Sequence, residues 1–298
     1  MRVLPLLALA CLALPALPAA AHGGKAAPPQ RAIERYAARA GWQAEALAAG
    51  LPAPVLRLRV PSPFGRRGSG VPLLPDKPHS TIYRFKYLDL PAGVEPALPF
   101  RYVEIDWNTE GEVRGPNGSF VTPHFDFHFY TRSRDFVERE MHCISSGNTC
   151  DSQQTRYVQM RRFLDLPPPC FFPAADYFPD TGSSIAQMGL HSLDGSFDYS
   201  KRNVDANPVI IYGSFDGELA FLEASLTLHA FSRAAKLAAA GGKSAWPIRQ
   251  PAAYAHAWWP TGITLEYLPG DDVFIFELNG FAMHPVQAYG ATACASVR

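Results

Sequence analysis

Apolar and polar residues alternate most strictly over VTPHFDFHFY (121–130). Side chains of a strand point to opposite faces in turn, so Phe125, Phe127 and Phe129 share one face and His124, Asp126 and His128 the other. The same two-residue period runs through VLRLRV (55–60), TIYRFKYLDL (81–90), FRYVEIDW (100–107), YAHAWW (254–259), TGITLEYL (261–268) and DVFIFELNGFAMH (272–284). NPVIIYGSFDGELAFLEAS (207–225) reads as a hairpin, because Asp216-Gly217 suits a tight turn between two apolar runs. A period near 3.6 predicts a helix over 31–48, where Ile33, Tyr36, Ala37, Ala40 and Leu47 recur before Gly50 and Pro52. SRDFVEREMH (133–142) is expected as a helix capped by Ser133, and TLHAFSRAAKLAAAGG (227–242) as one stopped by Gly241-Gly242. The Pro-rich stretch 164–184 is expected to be irregular.

Hairpins mixed with a few helices, without regular βα alternation or an internal repeat, predict an α+β, β-rich fold. Its core would be an antiparallel sheet or barrel. The 28 prolines, 23 glycines, 19 Phe and 12 Tyr point the same way. In 298 residues this leaves a leader and helix over 22–52 and a single β-rich domain over 53–298. Lys plus Arg equals Asp plus Glu, at 27 each, so no basic excess favours nucleic acid.

Residues 1–21 combine one Arg, an apolar run and Ala19-Ala20-Ala21, the pattern of a signal peptide cleaved after Ala21. The expected location is periplasmic or secreted, with no membrane span. Cleavage there would make His22 the N-terminus, a potential copper chelate like that of the lytic polysaccharide monooxygenases, although nothing else in the chain resembles those enzymes. Export removes Cys11 and leaves Cys143, Cys150, Cys170 and Cys294. An even count in an oxidising compartment suggests two disulfides, Cys143–Cys150 and Cys170–Cys294. A zinc site of His142, Cys143 and Cys150 is the rival.

Two imidazoles and a carboxylate in one row, backed by three aromatics, are not ordinary surface filler. His124 and His128 are expected to converge on one divalent transition metal, zinc or a similar ion, with His191 and Glu223 as first choices for further ligands. His229 and His256 are further candidates. Asp126 and Asp194 would support the ligands from outside. The alternative is a metal-free network in which buried His and Asp satisfy one another. No glycine fingerprint for a dinucleotide, P-loop, G-x-S-x-G elbow or H-E-x-x-H appears, so no nucleotide cofactor is expected.

PHFDFHFY, MGLHSLD, YGSFDGELAFLEAS and YLPGDDVFIFELNGF together resemble the TTHB-two-ten-like domain family, over roughly residues 100–285. That family comprises exported bacterial proteins and is typified by a Thermus thermophilus protein of unknown function. The resemblance implies importance for the His row and identifies no substrate. Three functions remain open at this point. They are a metal-dependent protein or enzyme, a non-catalytic envelope or stress protein that could be a homo-oligomer, and a small-molecule binder.

Overall fold

The computed structural model describes residues 28–47, 54–65, 72–74, 82–91, 98–109, 122–147, 149–168, 177–249 and 258–283. The chain runs α1 (Pro28–Ala37), β1 (Gln43–Leu47), β2 (Val55–Pro61), β3 (Ile82–Asp89), β4 (Tyr102–Asn108), β5 (His124–Tyr130) and α2 (Arg134–Glu140). The short strands β6 (Ser145–Ser146) and β7 (Thr149–Cys150) follow, then α3 (Tyr157–Leu164), β8 (Tyr177–Ile185), β9 (Gly189–Asp194) and α4 (Lys201–Val204). The remainder is β10 (Val209–Phe215), β11 (Glu218–Thr227), α5 (Leu228–Ala238), β12 (Ser244–Pro247), β13 (Trp258–Trp259), β14 (Gly262–Leu268), β15 (Val273–Asn279) and β16 (Ala282–Met283).

The fold is α+β and β-rich. Two antiparallel sheets dominate, a seven-stranded one in the order β3-β4-β5-β11-β10-β9-β8 and a five-stranded one in the order β1-β2-β15-β14-β12. They meet through the apolar face that the alternation predicts. Phe125, Phe127 and Phe129 are fully buried with Ile105, Trp107, Leu222 and Ala224 against Leu58, Phe274, Phe276 and Leu278. The Phe127 and Phe276 rings stack 4.8 Å apart across the layer. Phe231 of α5 closes one side, 5.1 Å from the Phe125 ring. Among the described residues no helix is long and apolar enough to cross a membrane.

Several expected elements have different bounds. The helix expected over 31–48 ends at Ala37. Gly41 adopts φ +102°, which turns the chain, and Gln43–Leu47 becomes an edge strand paired with β2. Only Ile33 and Tyr36 of the expected helical stripe are buried in the core. Part of the supposedly irregular 164–184 stretch forms β8, whose pairing with β9 is interrupted between Pro179 and Ser184. A proline cannot donate to a ladder, so it tolerates such an interruption. Ser133 does cap α2, accepting the Phe136 N–H. Asp216 (φ 56°) and Gly217 (φ 74°) make the expected turn, with positive φ at both central positions.

The outer face of the seven-stranded sheet positions the site. Antiparallel sheets commonly leave one face solvated. Here Glu104 and Asp106 of β4, His124, Asp126 and His128 of β5, and Glu223, Ser225 and Thr227 of β11 are all buried on it. The register places His128 between Glu104 and Glu223, and Asp126 between Asp106 and Ser225.

Candidate metal centre

His128 and Glu223 sit directly opposite on neighbouring strands, with His128 Nε2 3.2 Å from Glu223 Oε2. His191 reaches the same oxygen from β9, at 3.7 Å through its Nε2. One potential ligand atom from each of these residues lies within 4.8 Å of the others, and all three residues are buried. Donors held tetrahedrally at about 2.0–2.1 Å from an ion lie ~3.3 Å from one another, so the two short contacts match a shared ion. The group could hold a metal ion.

The intervening strand explains how β9 reaches β5. Gly213 of β10 pairs with both His191 and Phe221. A Cβ at Gly213 would overlap the Phe221 ring. The missing side chain lets that ring lie edge-on to both imidazoles, 4.9 Å from His128 and 5.5 Å from His191. A bulge beside Gly213 also splits the face of β11. Phe221 packs with Tyr130, while Leu219 joins the core between the sheets. Glu223 therefore shares the face of Phe221 and not that of Leu219.

Two of the converging groups are hydrogen-bonded through their other polar atom, and the third has a carboxyl nearby. His191 Nδ1 lies 2.7 Å from the Ser183 carbonyl, a contact in which the ring must donate, which in the neutral ring leaves the lone pair on Nε2. Ser225 donates to Glu223 Oε1 at 2.9 Å. Asp106 Oδ2 lies 3.6 Å from His128 Nδ1, the place of the outer carboxylate in a carboxylate–histidine–metal arrangement.

The surrounding charges are unequal. Burial, reinforced by Glu104, pushes the Asp106 carboxyl well above its usual range. Both its oxygens lack a hydrogen-bond partner among the described residues. Burial also raises Glu104, opposed by Arg84, whose Nε is 3.4 Å from Glu104 Oε1. Arg84 is held in turn by the Ala186 carbonyl at 2.6 Å and by the Gln187 side chain.

Two expected members stand elsewhere. His124 does not converge with His128. Four residues along a strand span ~13 Å, too far for one ion. Instead His124 Nδ1 is 2.6 Å from the Thr122 carbonyl and Nε2 is 3.1 Å from Asp126 Oδ1. Asp126 is a partner of His124. Burial would raise its pKa, but the His124 charge and hydrogen bond outweigh that and bring it down to about 2. Asp194 does not support His191. Its carboxylate accepts from Arg249 at 2.8 Å and from Ser196, and the Ser183 carbonyl orients His191 instead. GLHSLD (189–194) is strand β9, which is why His191 points at the site.

His229 is exposed and faces Asp205 at 3.7 Å. Cys143 and Cys150 form a disulfide with Cα atoms 5.6 Å apart, which removes the zinc reading with His142. The signal segment, His22, Cys170, His256 and Cys294 lie outside the described residues.

Asp106, Glu104, Arg84 and Ser183 have no counterpart among the expected site residues. YVEIDWN alternates as a half-exposed strand would, and its two acids read as a solvated face. Only the register opposite β5 gives them a role. No family model, curated protein or solved structure matches the chain.

Proposed function

We propose that the chain is an exported metalloprotein holding one divalent transition metal through His128 Nε2, His191 Nε2 and Glu223 Oε2. The observation that carries this reading is the convergence of three ligand atoms from three strands, with His191 and Glu223 each hydrogen-bonded from behind and Asp106 3.6 Å behind His128. Two imidazoles and one carboxylate suit zinc or non-haem iron. Three protein ligands, rather than four, are the number used by centres that keep a position for water or substrate. When bound, such an ion supplies Lewis acidity and a water of lowered pKa.

The test is elemental analysis of tag-free protein purified from its native compartment. About one divalent metal per chain is expected. His128→Ala, His191→Ala and Glu223→Ala should each lose it, and His124→Ala should retain it.

A metal-free network is the second reading, favoured by the 3.2 Å His128–Glu223 contact, which is already a hydrogen-bonding distance. Wild-type protein without stoichiometric metal would select that reading.

A further inference from the structure

α3 carries apolar side chains on two faces. Met160 and Phe163 are buried beneath it, as expected of a surface helix. Tyr157, Val158 and Leu164 face outward, at 76%, 73% and 43% exposure, and Ile144 beside them is 51% exposed. Of the large exposed hydrophobics among the described residues, all except Leu47 lie on α3 or on the loop beside it. Such concentration on one small element marks an interaction surface rather than scattered exposure.

The patch is rigidly mounted. The Cys143–Cys150 disulfide closes the loop bearing Ile144. Thr155 bonds both the Ile144 amide and its carbonyl, at 3.1 and 3.2 Å. Gln159 donates to the Glu140 and His142 carbonyls, and Arg162 pairs with Glu140 and Asp216, each at 3.0 Å.

The charges at the two ends of α3 choose among partners. Arg156 is its N-cap and Asp165 its C-cap, and the first turn contains no acid. Both charges stand at the end of the helix dipole that disfavours them. Among the described residues no side chain of opposite charge pairs with either one. A two-fold axis beside α3, perpendicular to it at its middle, sets Arg156 of one copy level with Asp165 of the other and Tyr157 level with Leu164. Each cation then meets the acid and the negative dipole end of the other helix. At 1.5 Å per residue the two ion pairs would stand ~13 Å apart, bracketing the apolar stripe. A groove of about 410 Å³ beside Ile144, Arg156 and Val158 has room for the Leu164 side chain of the second copy.

We propose that α3 and the disulfide-closed loop form an isologous interface with a second copy of this chain, the helices antiparallel and each Arg156 paired with Asp165 of the other copy. An isologous contact needs such a self-complementary patch. Two short helices and a loop make a small interface, so the association is weak and concentration-dependent. It is independent of the metal reading.

The experiment is sedimentation velocity of the mature, oxidised full chain over a concentration series. A reversible monomer–dimer equilibrium is expected. Arg156→Asp and Asp165→Arg should each weaken it at least tenfold, and the double charge reversal should restore it. Tyr157→Ser with Val158→Ser should abolish dimerisation while leaving the thermal unfolding midpoint within a few degrees of wild type. A wild type that stays monomeric at every concentration would overturn the proposal. So would a dimer indifferent to all these substitutions, or a charge reversal that fails to rescue. Flotation with phosphatidylglycerol vesicles in the absence of self-association would assign the patch to a membrane surface and equally overturn it.

Discussion

At the scale of single residues the outer sheet face is a graded set of acids. Asp106, whose carboxyl burial pushes well above its usual range, sits 3.6 Å behind His128, where it can orient the ring. Asp106→Asn should weaken metal binding about 10- to 100-fold without abolishing it, the usual effect of losing an outer partner. A competition titration against a chelator of known affinity measures it, and an unchanged affinity would separate Asp106 from the centre. Asp126 behaves in the opposite way, because His124 depresses its pKa to about 2. A depressed carboxyl contributes stability above its unfolded value, near 4, and loses it as pH falls through the folded value. Wild type should therefore lose an Asp126 contribution of about 2 kcal/mol between pH ~4 and ~2. Asp126→Asn should be less stable at pH 7, and its difference from wild type should shrink across that window. Denaturant midpoints at a series of pH values decide it, and a constant difference would count against the His124 pair. Of these groups, alternation along one strand reveals the His row. It cannot reveal Asp106, because an acid opposite a histidine is a property of two strands in register.

At the scale of elements, single glycines decide which strand faces can meet. Gly213 has no side chain, so Phe221 lies between two imidazoles that come from strands three positions apart in the sheet. Gly213→Ala should push the ring aside and cost about 1–3 kcal/mol, the range for overpacking a core. Replacing Phe221 by Leu in the same chain should recover part of that loss, because the two sites share the space. Thermal unfolding of both single variants and the double variant reads the coupling, and strictly additive losses would refute it. The glycines also explain which elements could be read in advance. Asp216-Gly217 and the alternation of 124–130 are local signals, and both hold in the structure. Gly41 lies inside a run that is helical by period, and its φ of +102° splits that run into α1 and β1. The pairing of β1 with β2 is a long-range contact that periodicity within one segment does not contain. β8 is hidden for a similar reason, since its ladder with β9 is broken at Pro179 and resumes at Ser184.

For the whole molecule, an ion held at the candidate centre would be a cross-link between strands. β5, β11, β10 and β9 lie side by side, and the three candidate ligands come from the first, second and fourth of them. The hydrogen-bond ladders already join these strands pairwise, whereas an ion would tie β9 directly to β5 across β10. Removing it would leave the core between the sheets intact, because Phe127 and Phe129 pack against Phe276 on the opposite face of β5. It would also leave Glu223 facing two imidazoles in a buried setting, where an uncompensated charge is costly. Binding to the folded state alone stabilises it by about 4 kcal/mol when free metal stands at a thousand times its dissociation constant. Chelation should therefore lower the unfolding midpoint of wild type by several degrees and leave His191→Ala where it was. Amide exchange should locate the change. Protection should fall most in β9 and β8, which end the sheet beyond the ion, and least in β4 and β5, which the aromatic layer holds. Equal loss of protection over the whole seven-stranded sheet would mean the ion supports the fold globally. No loss at all, with an unchanged midpoint, would leave the His128–Glu223 hydrogen bond as the only tie between those two side chains.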